Sequence, residues 1–134
     1  MIEFNLRTRT VARTLAVGGV PQHMVVAPDG NTLYIANEAG YVQFWDLVTG
    51  NQIGSNLILP EGSAGENIAR RPNTGQLYVT TAYIGGGRIF VINPTTRTIT
   101  RSMFAGGSTR QVAFNASGSV GFVPNEGGWV DFLK

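Results

Sequence analysis

Apolar positions in this chain come in short bursts with strand spacing, separated by glycine and Asx turns, and no stretch carries a sustained helical period. Residues 27–50 show the pattern best. Asp29-Gly30 makes a hairpin turn in which glycine supplies positive φ. Residues 33–36 and 41–45 are β-branched and aromatic runs on either side of a short glycine-containing loop at 37–40. Residues 46–50 form a second turn, headed by an aspartate whose side chain accepts hydrogen bonds from the amides ahead of it. The pattern predicts short antiparallel strands joined by tight turns.

The unit recurs. A shift of 88 residues lays 18–46 on 106–134 without a gap, matching NEAGYVQF to NEGGWVDF and glycines 18, 19, 30 and 40 to glycines 106, 107, 118 and 128. A shift of 44 lays Pro28, Leu33 and Tyr34 on Pro72, Leu77 and Tyr78. The middle unit then gains three residues at 82–87, a loop between two strands, since Asp46 and Asn93 are 47 apart. With the strands of a unit lettered A to D, the first unit is predicted to have A at 22–27, B at 32–37, C at 41–45 and D at about 52–59. The second has A at 66–70, B at 76–81, C at 88–92 and D at 98–104, and the third has A at 110–114, B at 120–124 and C at 129–133. Phe4-Asn5 matches Trp45-Asp46 and Ile92-Asn93, so the chain is expected to begin within a C strand and continue into a D strand at 10–15. Pro124 removes a ladder donor, and its strand is expected to fray or bulge there.

LYIAN, LYVTT and GFVPN, each followed by a hydrophobic strand and two of them then by an Asp or Asn turn, resemble the YVTN-type β-propeller repeat. Phe44-Trp45-Asp46-Leu47 with Thr49-Gly50 also resembles the third strand of a WD-type repeat, in one copy only and without that family's Gly-His pair, so the WD-type family ranks second. Both resemblances imply an all-β fold, a β-propeller of four-stranded antiparallel blades around a central channel, with three blades' worth of strands in this chain. The expected division of this single propeller segment, 1–134, is 1–15 as C and D strands completing a blade, 16–59 and 60–104 as whole blades, and 105–134 as strands A to C of the last.

Composition narrows the function. Charged residues are 13% and glycines number 18, which favours a turn-rich all-β protein over a helical or disordered one. The net charge is +2 and the arginines gather at turns and outer strands, so nucleic-acid binding is not expected. Arg13 and Arg101, on outer strands, are expected to lay their stems on apolar surface with their charge in water. Arg70 is the charged exception on an inner strand, and its head is expected to reach solvent or a carboxylate. Cysteine is absent, which removes disulfides, thiolate metal sites and cysteine nucleophiles. No run is apolar enough to span a membrane and 1–4 is not a signal peptide, while the family resemblance leans towards a periplasmic or extracellular protein.

His23 is the sole histidine, no serine lies in a nucleophile-elbow pattern, and residues 85–87 are three glycines that precede a strand instead of a helix. The expectation is a protein that is not an enzyme, with no cofactor and no metal. Carboxylates recur at Glu38 and Glu126, read as exposed loop residues. The propeller resemblance implies that A strands line the channel and that the D-to-A and B-to-C loops open on one face. Gln22, Glu66 and Arg110 share one repeat position and His23, Asn67 and Gln111 the next, so these six are expected to ring the channel mouth, with Tyr83 of the lengthened loop above them. A small molecule or peptide would bind there.

The expected function is a non-catalytic binding or scaffold module that oligomerises into a closed ring, as a six-bladed homodimer with exchanged terminal strands. Two alternatives stand beside it. One is a lactonase-like propeller hydrolase or lyase with its site at the channel mouth, and the other is an excised or engineered propeller fragment without activity of its own.

Overall fold

The computed structural model describes residues 1–60, 62–82 and 86–134, and among them the fold is all-β, with fourteen strands and no helix. Strands β1 (Ile2–Asn5) and β2 (Thr10–Thr14) form a hairpin. The first full sheet is β3 (Pro21–Val26), β4 (Thr32–Asn37), β5 (Tyr41–Asp46) and a broken outer strand, β6 (Asn51–Gln52) and β7 (Leu57–Ile58), both paired with β5. The second contains β8 (Ala64–Arg70), β9 (Leu77–Ala82), β10 (Gly87–Asn93) and β11 (Thr98–Gly106), and the third β12 (Ala113–Phe114), β13 (Gly121–Asn125) and β14 (Trp129–Leu133). All of these pairings are antiparallel.

One device closes the turns that follow β1, β5 and β10. The Oδ1 atoms of Asn5, Asp46 and Asn93 each accept two amides: Arg7 and Thr8 at 2.9 and 3.1 Å, Val48 and Thr49 at 2.7 and 3.1 Å, Thr95 and Thr96 at 2.9 and 3.3 Å. A backbone bond to the same Asx carbonyl then comes from Arg9, Gly50 or Arg97. That residue takes positive φ each time, and in two of the three turns it is an arginine, at 57° and 54°, where glycine would be free of strain.

Sheets that are apolar on both faces must be covered on both, and here they stack face to face. Between the first and second sheets lie Tyr34, Ala36, Val42 and Phe44 on one side and Ile68, Leu77, Val79, Phe90 and Ile92 on the other. Between the second and third lie Tyr78, Ile89 and Val91 against Val112 and Val123. Leu15 and Val17, beyond the hairpin, cover Leu33, Ile35 and Trp45. The stack stays open within one chain. Phe122, Val130 and Phe132 of the third sheet are 39, 48 and 63% exposed, although their repeat equivalents Tyr34, Val42 and Phe44 are at most 8% exposed.

Four expectations need correction. The outer strand of the first sheet is interrupted at 53–56, where Gly54 has a φ of +68° and Arg97 Nη1 donates to the Ile53 carbonyl at 2.7 Å. The innermost strand of the third sheet is only two residues long. Pro124 neither frays nor bulges its strand against β14, where it pairs with Val130 in unbroken register. Its missing N–H shows on the other side, where the ladder to β12 ends at Phe122, while the equivalent ladder between β3 and β4 runs on through Ala36. The Arg13 head is not left to water: Nε pairs with Glu3 at 2.5 Å and Nη2 donates to the Leu47 carbonyl.

Candidate functional site

The ends of the strands define two rims. At one, each outer strand crosses to the inner strand of the next sheet and each second strand turns into the third. Five of the six residues expected at the channel mouth make polar contacts on this rim, in two tiers.

In the outer tier, Gln22 Nε2 donates to Glu38 Oε2 at 2.5 Å and Arg110 Nε donates to Glu126 Oε1 at 2.9 Å. The two pairs are repeat equivalents, 88 residues apart. Glu66 has Ala82 where the others have a glutamate, and it pairs across the sheets instead, with its Oε1 3.3 Å from Arg110 Nη1. Arg110 is thus flanked by two carboxylates, which raise its pKa, the hydrogen bond to Glu126 being the larger cause. Glu126 is held below the ordinary carboxylate range by Arg110 and then by the Ser108 hydroxyl.

The inner tier links sheets. His23 Nδ1 lies 3.1 Å from the Ile68 carbonyl, and Asn67, buried, accepts the Val112 N–H on its Oδ1 at 3.2 Å. Each side chain therefore reaches the backbone 45 residues ahead, one sheet on. Gln111, next in the series, is exposed. Tyr83 lies outside the described residues.

Two residues on this rim escaped the sequence reading. Asn37 is fully buried. Its Oδ1 accepts the N–H groups of Val20 (2.8 Å) and Ala39 (3.0 Å), and its Nδ2 donates to the Gly18 carbonyl (3.1 Å). Asn125 repeats this, accepting from Ser108 and Gly127 and donating to the carbonyls of Ala105 and Gly106. Each asparagine ties the crossing loop to the end of a second strand. The second glycine of each pair belongs to the same device, because a Cβ on Gly107 would overlap the Asn125 amide and one on Gly19 the Asn37 amide. In the middle repeat the second glycine and the asparagine are replaced together, by Ser63 and Thr81, while Gly62 keeps the first glycine. The signal was present as this paired recurrence.

Among the described residues no group of three or more His, Cys, Asp or Glu is placed to hold a metal ion. No helix there is long and apolar enough to cross a membrane. The opposite rim carries a cleft of about 740 Å³ between the first two sheets, and none of the expected residues lines it.

No protein-family model matches the chain. No curated protein matches it either. Among solved structures, a chain of hydrazine synthase from Kuenenia stuttgartiensis superposes with a TM-score of 0.88 at 23% identity, over 99% of this chain and 39% of that one. At that identity the likeness shows a shared fold and nothing about activity, and this chain spans about two-fifths of the length of its neighbour. An all-β stack of antiparallel sheets of propeller type is the class that fold and comparison together define.

Proposed function

We propose that the chain is half of a six-bladed β-propeller, closed by a second copy of itself, and that the ring serves as a non-catalytic binding or scaffold module. The observation that carries this is the bare apolar face of the third sheet, which has a repeat-equivalent counterpart at Met24 of the first. Phe122, Val130 and Phe132 are repeat copies of the face that packs onto the second sheet, and Met24 is a copy of Ile68, which receives it. Met24 is 46% exposed and Ile68 1%. The bare face of the third sheet thus has a counterpart on the first, where Leu33, Ile35 and Trp45 lie under Leu15 and Val17 and Met24 is left exposed. A stable monomer rarely leaves an apolar face such as that of Phe122, Val130 and Phe132 bare.

The ring also gives Gln111 a partner, since the pattern set by His23 and Asn67 directs it to the backbone at Met24 of the second copy. In this arrangement β2 moves beside β14 of the other chain. Residues 2–5 are repeat equivalents of 131–134, so β1 gives up its pairing with β2 and the exchange trades one short ladder for another. Catalysis is left out of the reading because the one histidine faces a backbone carbonyl.

Light scattering tests the proposal, with an expected mass twice the 14.4 kDa of the chain. Phe132→Glu should yield a folded monomer, and deletion of residues 1–15 should abolish the dimer. A wild-type monomer at micromolar concentration, or a dimer indifferent to Phe132→Glu, would overturn it.

A further inference from the structure

The clefts on the rim opposite the channel mouth use the same repeat positions but are filled differently. Between the second and third sheets Arg71 is a plug. Its Nε donates to the Gly118 carbonyl at 2.7 Å and its Nη1 to the Tyr78 hydroxyl at 3.3 Å. Its guanidinium lies 5.9 Å from the centre of the Phe114 ring, which meets Tyr78 edge-on at 4.8 Å. Forty-four residues earlier, the positions of Arg71, Tyr78, Phe114 and Gly118 hold Ala27, Tyr34, Arg70 and Thr74. A methyl group replaces the plug, and the arginine moves to the facing wall.

The result is the cleft of about 740 Å³, lined among others by Ala27, Asp29, Tyr34, Arg70, Thr74 and Thr95. That volume is in the range of small-molecule sites, about 300–1,000 Å³. Arg70 is half-buried and makes no hydrogen bond or ion pair among the described residues. Gly75, with a φ of +74°, leaves room for it, since a Cβ there would stand 2.9 Å from Nη2. The Tyr34 side chain is buried, and its hydroxyl, unlike that of Tyr78, has no protein partner among the described residues. Asp29, in the turn between β3 and β4, uses Oδ1 to accept the Asn31 N–H at 2.9 Å, and its second oxygen has no protein partner among the described residues. Burial raises the Tyr34 pKa, Asp29 adds to the rise and Arg70 opposes it, so both charges bear on that hydroxyl.

We propose that this cleft binds a small zwitterion, an α-amino acid or close analogue, with its carboxylate on Arg70 and Tyr34 and its ammonium group towards Asp29. A guanidinium presents a planar fork that matches a carboxylate, and the phenolic O–H donates to the same group. Asp29 repels a plain anion such as phosphate and attracts a cation, so a ligand carrying both charges satisfies both walls. The threonine hydroxyls offer further polar contacts. Both walls belong to one chain, and the site does not depend on ring closure.

The test is a two-dimensional amide NMR titration of the whole chain with glycine and alanine, beside acetate, methylammonium and inorganic phosphate. The amino acids should give saturable shifts around Asn31, Gly75 and Thr95, with acetate at least about tenfold weaker, a difference of about 1.4 kcal/mol. Arg70→Gln should abolish saturation. Asp29→Asn should bring acetate level with the amino acids. Ala27→Arg, which installs the plug of the next cleft, should abolish binding, and Arg70→Gln decides the matter if that variant fails to fold. Absence of saturable shifts at tens of millimolar amino acid, tighter binding of acetate or phosphate, or binding unchanged in Arg70→Gln would overturn the proposal.

Discussion

Replacing Asn37 by alanine tests whether the crossing loops are held by side chains. The substitution removes three hydrogen bonds from a fully buried amide and leaves the N–H groups of Val20 and Ala39 and the Gly18 carbonyl without it. A neutral hydrogen bond is worth about 1 kcal/mol net, and an orphaned buried group about 1–3. The loop lies at the surface, so water recovers part of the loss, and the expected cost is about 2–3 kcal/mol. With a urea slope of about 2 kcal/mol/M the midpoint should fall by about 1–1.5 M. The fluorescence of Trp45, buried beneath Leu15 and Val17 next to the crossing, reports the transition. Thr81→Ala is the control, because Thr81 occupies the same repeat position and, among the described residues, its hydroxyl bonds only within its own hairpin, to the Arg88 carbonyl and N–H. It should cost less than about 1 kcal/mol. An Asn37→Ala midpoint within error of wild type, or equal losses in the two variants, would refute the argument.

A cycle through Gly107→Ala, Asn125→Ala and the double variant should be strongly non-additive, because the atoms nearest to a Cβ at 107 are all in the Asn125 side chain. Additive losses in urea denaturation would count against the two residues forming one device. The second concerns acid. Glu126 and Asp46 have folded pKa values below their ordinary ones, through Arg110 and Ser108 in the first case and the Thr49 and Val48 amides in the second. Depressed carboxylates stabilise fully above the ordinary value, about 4, and that contribution is lost as pH falls through the folded value. Asp46→Asn should keep the turn, as Asn5 and Asn93 do, and flatten the loss of urea stability between about pH 5 and 3. An acid profile identical to wild type would contradict this.

The strands and their turns were legible because their determinants are local: a glycine, an Asx residue and an alternation within a few positions. What the sequence concealed lies in contacts across sheets. The break at 53–56 depends on Arg97, forty-four residues away, whose guanidinium occupies the space beside Gly54. Asn67 reads as a polar residue at the start of a strand, yet it is buried because the backbone of the next sheet supplies its partner at Val112. The open cleft was half legible, since Arg70 stood out on an apolar strand, but its meaning required knowing that Ala27 and Arg71 occupy equivalent places.

The two rims differ for a physical reason. A chain crossing from the outer strand of one sheet to the inner strand of the next leaves the ladder, and its amides and carbonyls then need partners of another kind. Asn37 and Asn125 supply them, while Asn67 and His23 do the same for the inner strands, so polar residues on that rim are largely consumed by the fold. On the opposite rim the turns satisfy themselves, as Asp29 does with Asn31 and Asn93 with Thr95 and Thr96. Side chains next to such turns are free to differ between repeats without loosening the stack. Arg71 in one cleft and Ala27 with Arg70 in the other are that freedom in use, one cleft closed and the next open. Exchanging Ala27, a buried residue at the edge of the open cleft, for arginine should therefore change stability by less than about 1 kcal/mol, because the new side chain has the cleft to enter. At a slope of about 2 kcal/mol/M the urea midpoint should shift by less than about 0.5 M. A large loss of stability would show that this cleft cannot take the plug of the next one, and that side chains on this rim are not free to differ between repeats.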